Sequence, residues 1–226
     1  MNSKEERQRQ PDSTALPPSE TDRSREFGRV FALLCAVVVA ASCATTSAEA
    51  PGPAARAVAK SDPAEVARYY PLAVGNTWTY KGKLLGQPAE RRVTVVRKDG
   101  PIYIDDQQGE FMLDGEGVRD RKRYLLKGPI SRGNTWMSVA SVSSVEHFEI
   151  TDTGRSVSVA AGRFEGCVVV RATNRIDAGK EFVTEWTYAP GVGLVRMDNF
   201  ILRNKKEYVP QGEIELTAYE IKTEAK

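Results

Sequence analysis

The chain has 226 residues but only one histidine and three cysteines, and neither sign of charge dominates it. So little imidazole and thiol excludes the common zinc and haem ligand sets, which need several such side chains at fixed spacing. Thirty-two basic residues against 30 acidic ones leave a formal charge of +2, which gives no field to gather nucleic acid. No apolar run approaches the roughly 20 residues that cross a bilayer as a helix. The wholly apolar run Val30 to Ala41 (VFALLCAVVVAA) stops at twelve. A Gly-x-Ser-x-Gly elbow is missing, and with it the usual signature of a serine hydrolase. Strand–helix–strand alternation is also missing, which argues against a parallel sheet. At 41% apolar and 27% charged residues, the composition is that of a soluble globular protein, long enough for one domain plus appendages.

The appendage lies at the front. Met1 to Arg29 holds six basic and six acidic residues with Pro17-Pro18 among them and no periodic apolar face, so it is expected to be disordered. Val30 to Ala41, preceded by Arg23, Arg25 and Arg29, fits the apolar region of a secretory signal. Ala40-Ala41-Ser42-Cys43 follows and resembles the lipobox of bacterial lipoproteins, although Ala40 stands where leucine is usual. The resemblance implies that the Cys43 sulfur takes a diacylglycerol thioether, that Ala41 and Ser42 seat the peptidase, and that mature protein begins at Cys43. Two or three acyl chains would hold it firmly at a membrane, where one alone is marginal. Ala44 in place of aspartate favours the outer over the inner membrane, facing the periplasm. A plain cleaved signal and an uncleaved anchor are the alternatives. Ala44 to Lys60 is rich in Ala, Thr, Ser and Pro, has Val58 as its one larger apolar residue, and reads as a tether. The boundaries are thus 1–42 for the disordered region and signal, 43–61 for the tether, and 62–226 for the globular domain.

The domain opens with a helix signature. Asp62 is placed to cap, Pro63 to take the first helical position and Glu65 to close a capping box, and Pro71 limits the helix to Pro63–Tyr69. Beyond it, apolar residues alternate at a period of two around Val93, from Val168 to Ala172, from Phe182 to Tyr188 and from Ile214 to Ala218, the mark of half-buried strands. Asp99-Gly100, Gln108-Gly109, Asp114-Gly115, Thr153-Gly154 and Ala178-Gly179 read as the turns between runs. The expected fold is all-β: a single antiparallel domain of about 10–12 short strands, a curled sheet or an open barrel or sandwich, with one short helix before the first strand.

An eight-residue segment occurs twice. Pro71-Leu72-Ala73-Val74-Gly75-Asn76-Thr77-Trp78 returns as Pro129-Ile130-Ser131-Arg132-Gly133-Asn134-Thr135-Trp136, identical at five positions and offset by 129 − 71 = 58. Its chemistry suggests a corner: proline ends a segment, Gly-Asn turns, and Thr-Trp opens a strand with a buried indole. PLAVGNTWTY, AGRFEGCVVV (Ala161 to Val170) and YAPGVGLV (Tyr188 to Val195) together resemble a group of uncharacterised bacterial secreted proteins and lipoproteins with PLxxGNxWxY, aGxFxxC and YxPGVGxV motifs. The likeness spans Tyr70 to Val195. It implies an exported β-rich domain and no particular chemistry.

Few residues are candidates for chemistry. His147 lies between Glu146 and Glu149 on an expected strand, where a surface or satisfied histidine is the simpler reading. Cys167, beside Gly166 and three valines, reads as a small buried hydrophobe with no disulfide partner. The carboxylates from Asp105 to Glu110 lack the spacing of a calcium loop and read as a polar turn. Arg119 to Arg123, continued by Lys127, offers contact with anionic headgroups or, more simply, a solvated turn and a charged edge strand. Trp78, Trp136, Trp186 and Tyr188, with Tyr80, either fill the core or line an apolar cavity. The expectation is a non-enzymatic, membrane-anchored envelope lipoprotein that binds an apolar ligand or an envelope partner, without catalytic residues, metal or cofactor and without nucleic acid. The alternatives are an envelope scaffold and, further off, a hydrolase.

Overall fold

The computed structural model describes residues 61–141 and 144–222. Cys43, the signal and nearly all of the tether lie outside them. Helix α1 (Pro63–Tyr69) forms as expected, with Asp62 Oδ1 accepting from Ala64 N at 2.9 Å. The capping box does not: the Glu65 carboxylate accepts from Ile130 N, tying the helix to a distant segment.

Twelve strands follow among the described residues: β1 (Thr77–Leu84), β2 (Gln87–Asp99), β3 (Ile102–Asp105), β4 (Glu110–Leu113), β5 (Gly117–Arg119), β6 (Tyr124–Lys127), β7 (Thr135–Ser141), β8 (Ser144–Val159), β9 (Gly162–Asp177), β10 (Lys180–Ala189), β11 (Gly193–Arg203) and β12 (Glu207–Glu220). They make one antiparallel sheet in the order β6-β5-β4-β3-β2-β1-β12-β11-β10-β9-β8-β7. Chain neighbours therefore pair throughout, with β1 and β12 closing the circle, except that β6 and β7 stand at the two free edges. The result is a nearly closed, barrel-like sheet with a single seam.

One correction concerns a turn. Thr153-Gly154 is no hairpin: it lies inside β8, where the register to β9 slips between Thr153 and Arg155 and Gly154 takes φ +96°. Two further tight reversals fall at Leu85-Gly86, at φ +49° and +77°, and at Asn204-Lys205, at +49° and +57°.

The doubled segment builds the same corner twice. Gly75 N donates to Val95 O, Asn76 N to Ala73 O, and Val95 N to Asn76 O; Gly133 N donates to Ile150 O, Asn134 N to Ser131 O, and Ile150 N to Asn134 O. Both glycines are left-handed, φ +92° and +84°. Each asparagine Nδ2 donates to the carbonyl of its proline, Asn76 to Pro71 and Asn134 to Pro129, both at 3.0 Å. Each corner then opens a strand on a buried indole: Trp78 Nε1 donates to Val192 O at 2.7 Å, and Trp136 Nε1 to Tyr124 O at 3.0 Å.

Two apolar clusters fill the sheet. One joins Val66 of α1 to Val118, Leu126, Trp136, Phe148, Ile150 and Val170. The other joins Trp78, Tyr80, Val95 and Leu216 to Cys167 and Val195. Helix α1 lies at one end, its Arg68 carbonyl accepting from Gly191 N and its Tyr69 hydroxyl donating to Gly166 O. The outer part of the β8–β9 hairpin reaches across to β12, where Ala161 N donates to Leu216 O and the Phe164 and Tyr219 rings lie 6.0 Å apart.

Candidate functional site

Strand alternation decides what faces the interior. On β1, Trp78 and Tyr80 point inward while Thr77 and Thr79 do not; their partners Val93 and Arg91 on β2 share that face. With Val95, with Leu194, Met197 and Ile214 from β11 and β12, with Tyr70 and Leu72 after α1, and with Asp105 and Phe111 from the β3–β4 wall, they bound a cavity of about 220 Å³. That is below the ~300–1,000 Å³ of sites for drug-sized molecules, so it suits one short chain or ring. Gly193, left-handed at φ +102°, forms part of the wall, where a Cβ would stand 3.6 Å from the Trp78 indole nitrogen and from Pro71.

Polar groups in the wall are mostly occupied. The Tyr80 hydroxyl donates to Leu194 O at 3.1 Å. Asp105 Oδ1 accepts from Gln107 N and Gly109 N, so the carboxylate shapes the β3–β4 turn, as the polar-turn reading of Asp105 to Glu110 expects. Burial holds the Tyr70, Tyr80 and Tyr188 hydroxyls well above the ordinary phenol range. The charges of Asp105 and Asp120 add to this at Tyr70, and Tyr70 adds to it at Tyr80 and Tyr188, while Arg91 pulls Tyr80 the other way. These hydroxyls are neutral at any physiological pH.

The aromatic residues singled out from the sequence divide. Trp78 and Tyr80 line the cavity. Trp136 and Trp186 instead sandwich Phe148, with centroids 5.3 and 6.0 Å apart and interplanar angles of 7° and 15°, and Tyr188 is buried beside them in the core. Among the lining residues that the sequence did not disclose are Phe111 and Met197, which alternation alone does not assign to one wall, and Arg91, whose inward face follows from its pairing with Tyr80.

The remaining candidates fall elsewhere. His147 is exposed on the outer face of β8, paired across to Met137 and Thr173. Cys167 is fully buried, and burial pushes its thiol above the ordinary range, against a small opposing pull from Arg155. The basic run is largely neutralised: Arg119 meets Asp114, Arg121 meets Glu110, Arg123 meets Glu146 and Asp120, and Lys127 meets Glu116. That leaves little charge for a lipid headgroup. The described residues contain no group of three or more His, Cys, Asp or Glu side chains placed to hold a metal ion.

No family model matches the chain, and no curated protein does. Two solved structures show likeness. One is a "putative exported protein with YmcC-like fold" from Bacteroides fragilis, with 15% identity and TM-score 0.41, covering 66% of this chain and 97% of its own. The other is a "putative lipoprotein" from Parabacteroides distasonis, with 14% identity and TM-score 0.39, at the same coverage. Likeness at this level establishes neither fold nor function for this chain.

Proposed function

We propose that this is a lipid-anchored protein of the bacterial envelope, non-enzymatic, whose open barrel binds a small apolar molecule. The observation that carries the reading is the cavity bounded by Trp78, Tyr80, Val93, Leu194, Met197 and Ile214 inside the sheet. An interior of matched side chains would close on itself; here apolar walls are left facing one another. The anchoring rests on the apolar run before Ala40-Ala41-Ser42-Cys43.

Native mass spectrometry of the mature full-length protein reads both parts. The expected result is an N-terminal Cys43 carrying acyl chains, plus a non-covalent apolar adduct that Met197→Trp, by filling the cavity, removes while cooperative melting persists. An N-terminus other than acylated Cys43 refutes the anchoring, and the absence of any adduct refutes the cavity. A second reading, an envelope scaffold that docks through a sheet edge, is favoured by Met137 and Val139, 68% and 71% exposed on the free edge strand β7. Val139→Lys that abolishes co-purification of an envelope protein would support it.

A further inference from the structure

Resting on the cavity reading, we infer that the ligand is an anionic single-chain amphiphile, its tail against Trp78, Met197 and Ile214 and its negative head on Arg91. The register places the arginine: Arg91 pairs with Tyr80, two residues along β2 from the Val93 that pairs with Trp78, and side chains opposite one another share a face. At the mouth of an apolar wall, a guanidinium that no carboxylate has taken is free to meet an incoming anion.

Among the described residues, Arg91 forms no ion pair or hydrogen bond. Its chain neighbour Glu90 is taken by Lys81 across the β1–β2 hairpin, at 3.2 Å. Asp105, the carboxylate in the cavity wall, has Oδ1 held by two backbone N–H groups of its own turn. The Tyr80 hydroxyl beside Arg91 is used by Leu194 O. Arg91 itself is exposed, so it stands at the rim, where an incoming head can stay hydrated while the tail enters. A planar guanidinium offers paired donors to carboxylate and phosphate alike, so the shared chemistry is an oxyanion on a short chain.

The test uses full-length protein in nanodiscs and a medium-chain fatty acid with a photoreactive group at the chain end. Labelled peptides are located by mass spectrometry, and decanoate, decyl phosphate and decanol serve as competitors. The expected outcome is labelling of β1, β11 and β12 that either anion displaces at least about tenfold better than the alcohol, a difference one charge-assisted contact can supply. Whichever anion competes better identifies the head. Arg91→Gln should cost the acid about tenfold and leave decanol unchanged, and Arg91→Lys should retain most of the preference. Equal competition by acid and alcohol, or an Arg91→Gln protein that still prefers the acid, overturns this assignment and leaves the cavity standing. No labelling of these strands by any probe overturns the cavity reading itself.

Discussion

Replacing Asn76 and Asn134 separately by alanine compares the two corners, which share a geometry but differ in depth. Asn76 is fully buried. Its Nδ2 donates to Pro71 O at 3.0 Å, and its Oδ1 accepts from Lys222 N at 2.7 Å, which fastens the end of β12 to the start of β1. Asn76→Ala removes two hydrogen bonds, to Pro71 O and Lys222 N, and empties a site whose side chain is shut off from solvent. At about 1–3 kcal/mol for each group left without its partner, the loss comes to about 2–6 kcal/mol. Asn134 is only half-buried. Its Nδ2 serves Lys127 O and Pro129 O at 2.9 and 3.0 Å. Water can reach such a site, so Asn134→Ala should cost about 1–3 kcal/mol, the ordinary net worth of two bonds. Urea denaturation of each variant, with the slope checked for constancy, measures the difference. Asn76→Asp keeps the acceptor for Lys222 N but buries a charge and sets a carboxylate oxygen against Pro71 O, so it should cost at least as much as Asn76→Ala. Equal losses at the two corners, or a larger one at Asn134, would refute the argument that burial of the asparagine sets the cost.

Leu85, 78% exposed at φ +49°, occupies a left-handed turn position that suits asparagine or glycine; Leu85→Asn should raise stability by about 0.5–1 kcal/mol in the same denaturation assay. Phe148, 1% exposed between two indoles, should cost about 3–5 kcal/mol as Phe148→Ala, read by thermal melting. Tyr80 and Tyr188 stay protonated in the folded state above the pH at which unfolded tyrosine ionises. Folded protein then holds more protons, so stability is intact below about pH 10 and falls above it, by up to about 2.7 kcal/mol per pH unit for the pair; denaturation midpoints that do not move between pH 9 and 11 would contradict this.

Local signals carried much of the fold and little of the site. The span Pro63–Tyr69 was legible because the cap and the limiting proline act within a few residues. Strands β9, β10 and β12 were legible because one face of each meets the core, so a period of two is imposed on the sequence. The turn at Leu85-Gly86 was not, because leucine pays a local strain there that no composition rule anticipates. The Thr153-Gly154 signal misled because a left-handed glycine serves a bulge as well as a turn. Among the aromatics, sequence cannot separate Trp78 from Trp136: both open a strand after the same corner, and only the position of that strand, β1 inside the sheet or β7 at its edge, sends one indole to the cavity and the other into a stack.

That positional difference also accounts for the seam. An eight-stranded barrel is just filled by its own side chains, and wider ones hold a ligand or a channel; twelve strands closed by a full ladder would enclose more lumen than this chain fills. Leaving β6 and β7 unpaired lets the short strands β3 to β6 fold in against α1 and β8, as the contact of Val118 and Leu126 with Val66, Phe148 and Ile150 shows. Side chains then hold the gap: Trp136 Nε1 donates to Tyr124 O, Asn134 Nδ2 to Lys127 O, and Arg123 pairs with Glu146. Each takes up a group on or beside the free edge of β6, which is thereby blunted. The collapse fills the β7–β10 side, where Trp136, Phe148 and Trp186 stack, and stops short on the β1–β2 side, where Phe111 and Asp105 face Trp78 and Val93 across open space. The cavity is therefore a consequence of strand number, and its chemistry is set by the few inward residues of β1 and β2, Arg91 among them.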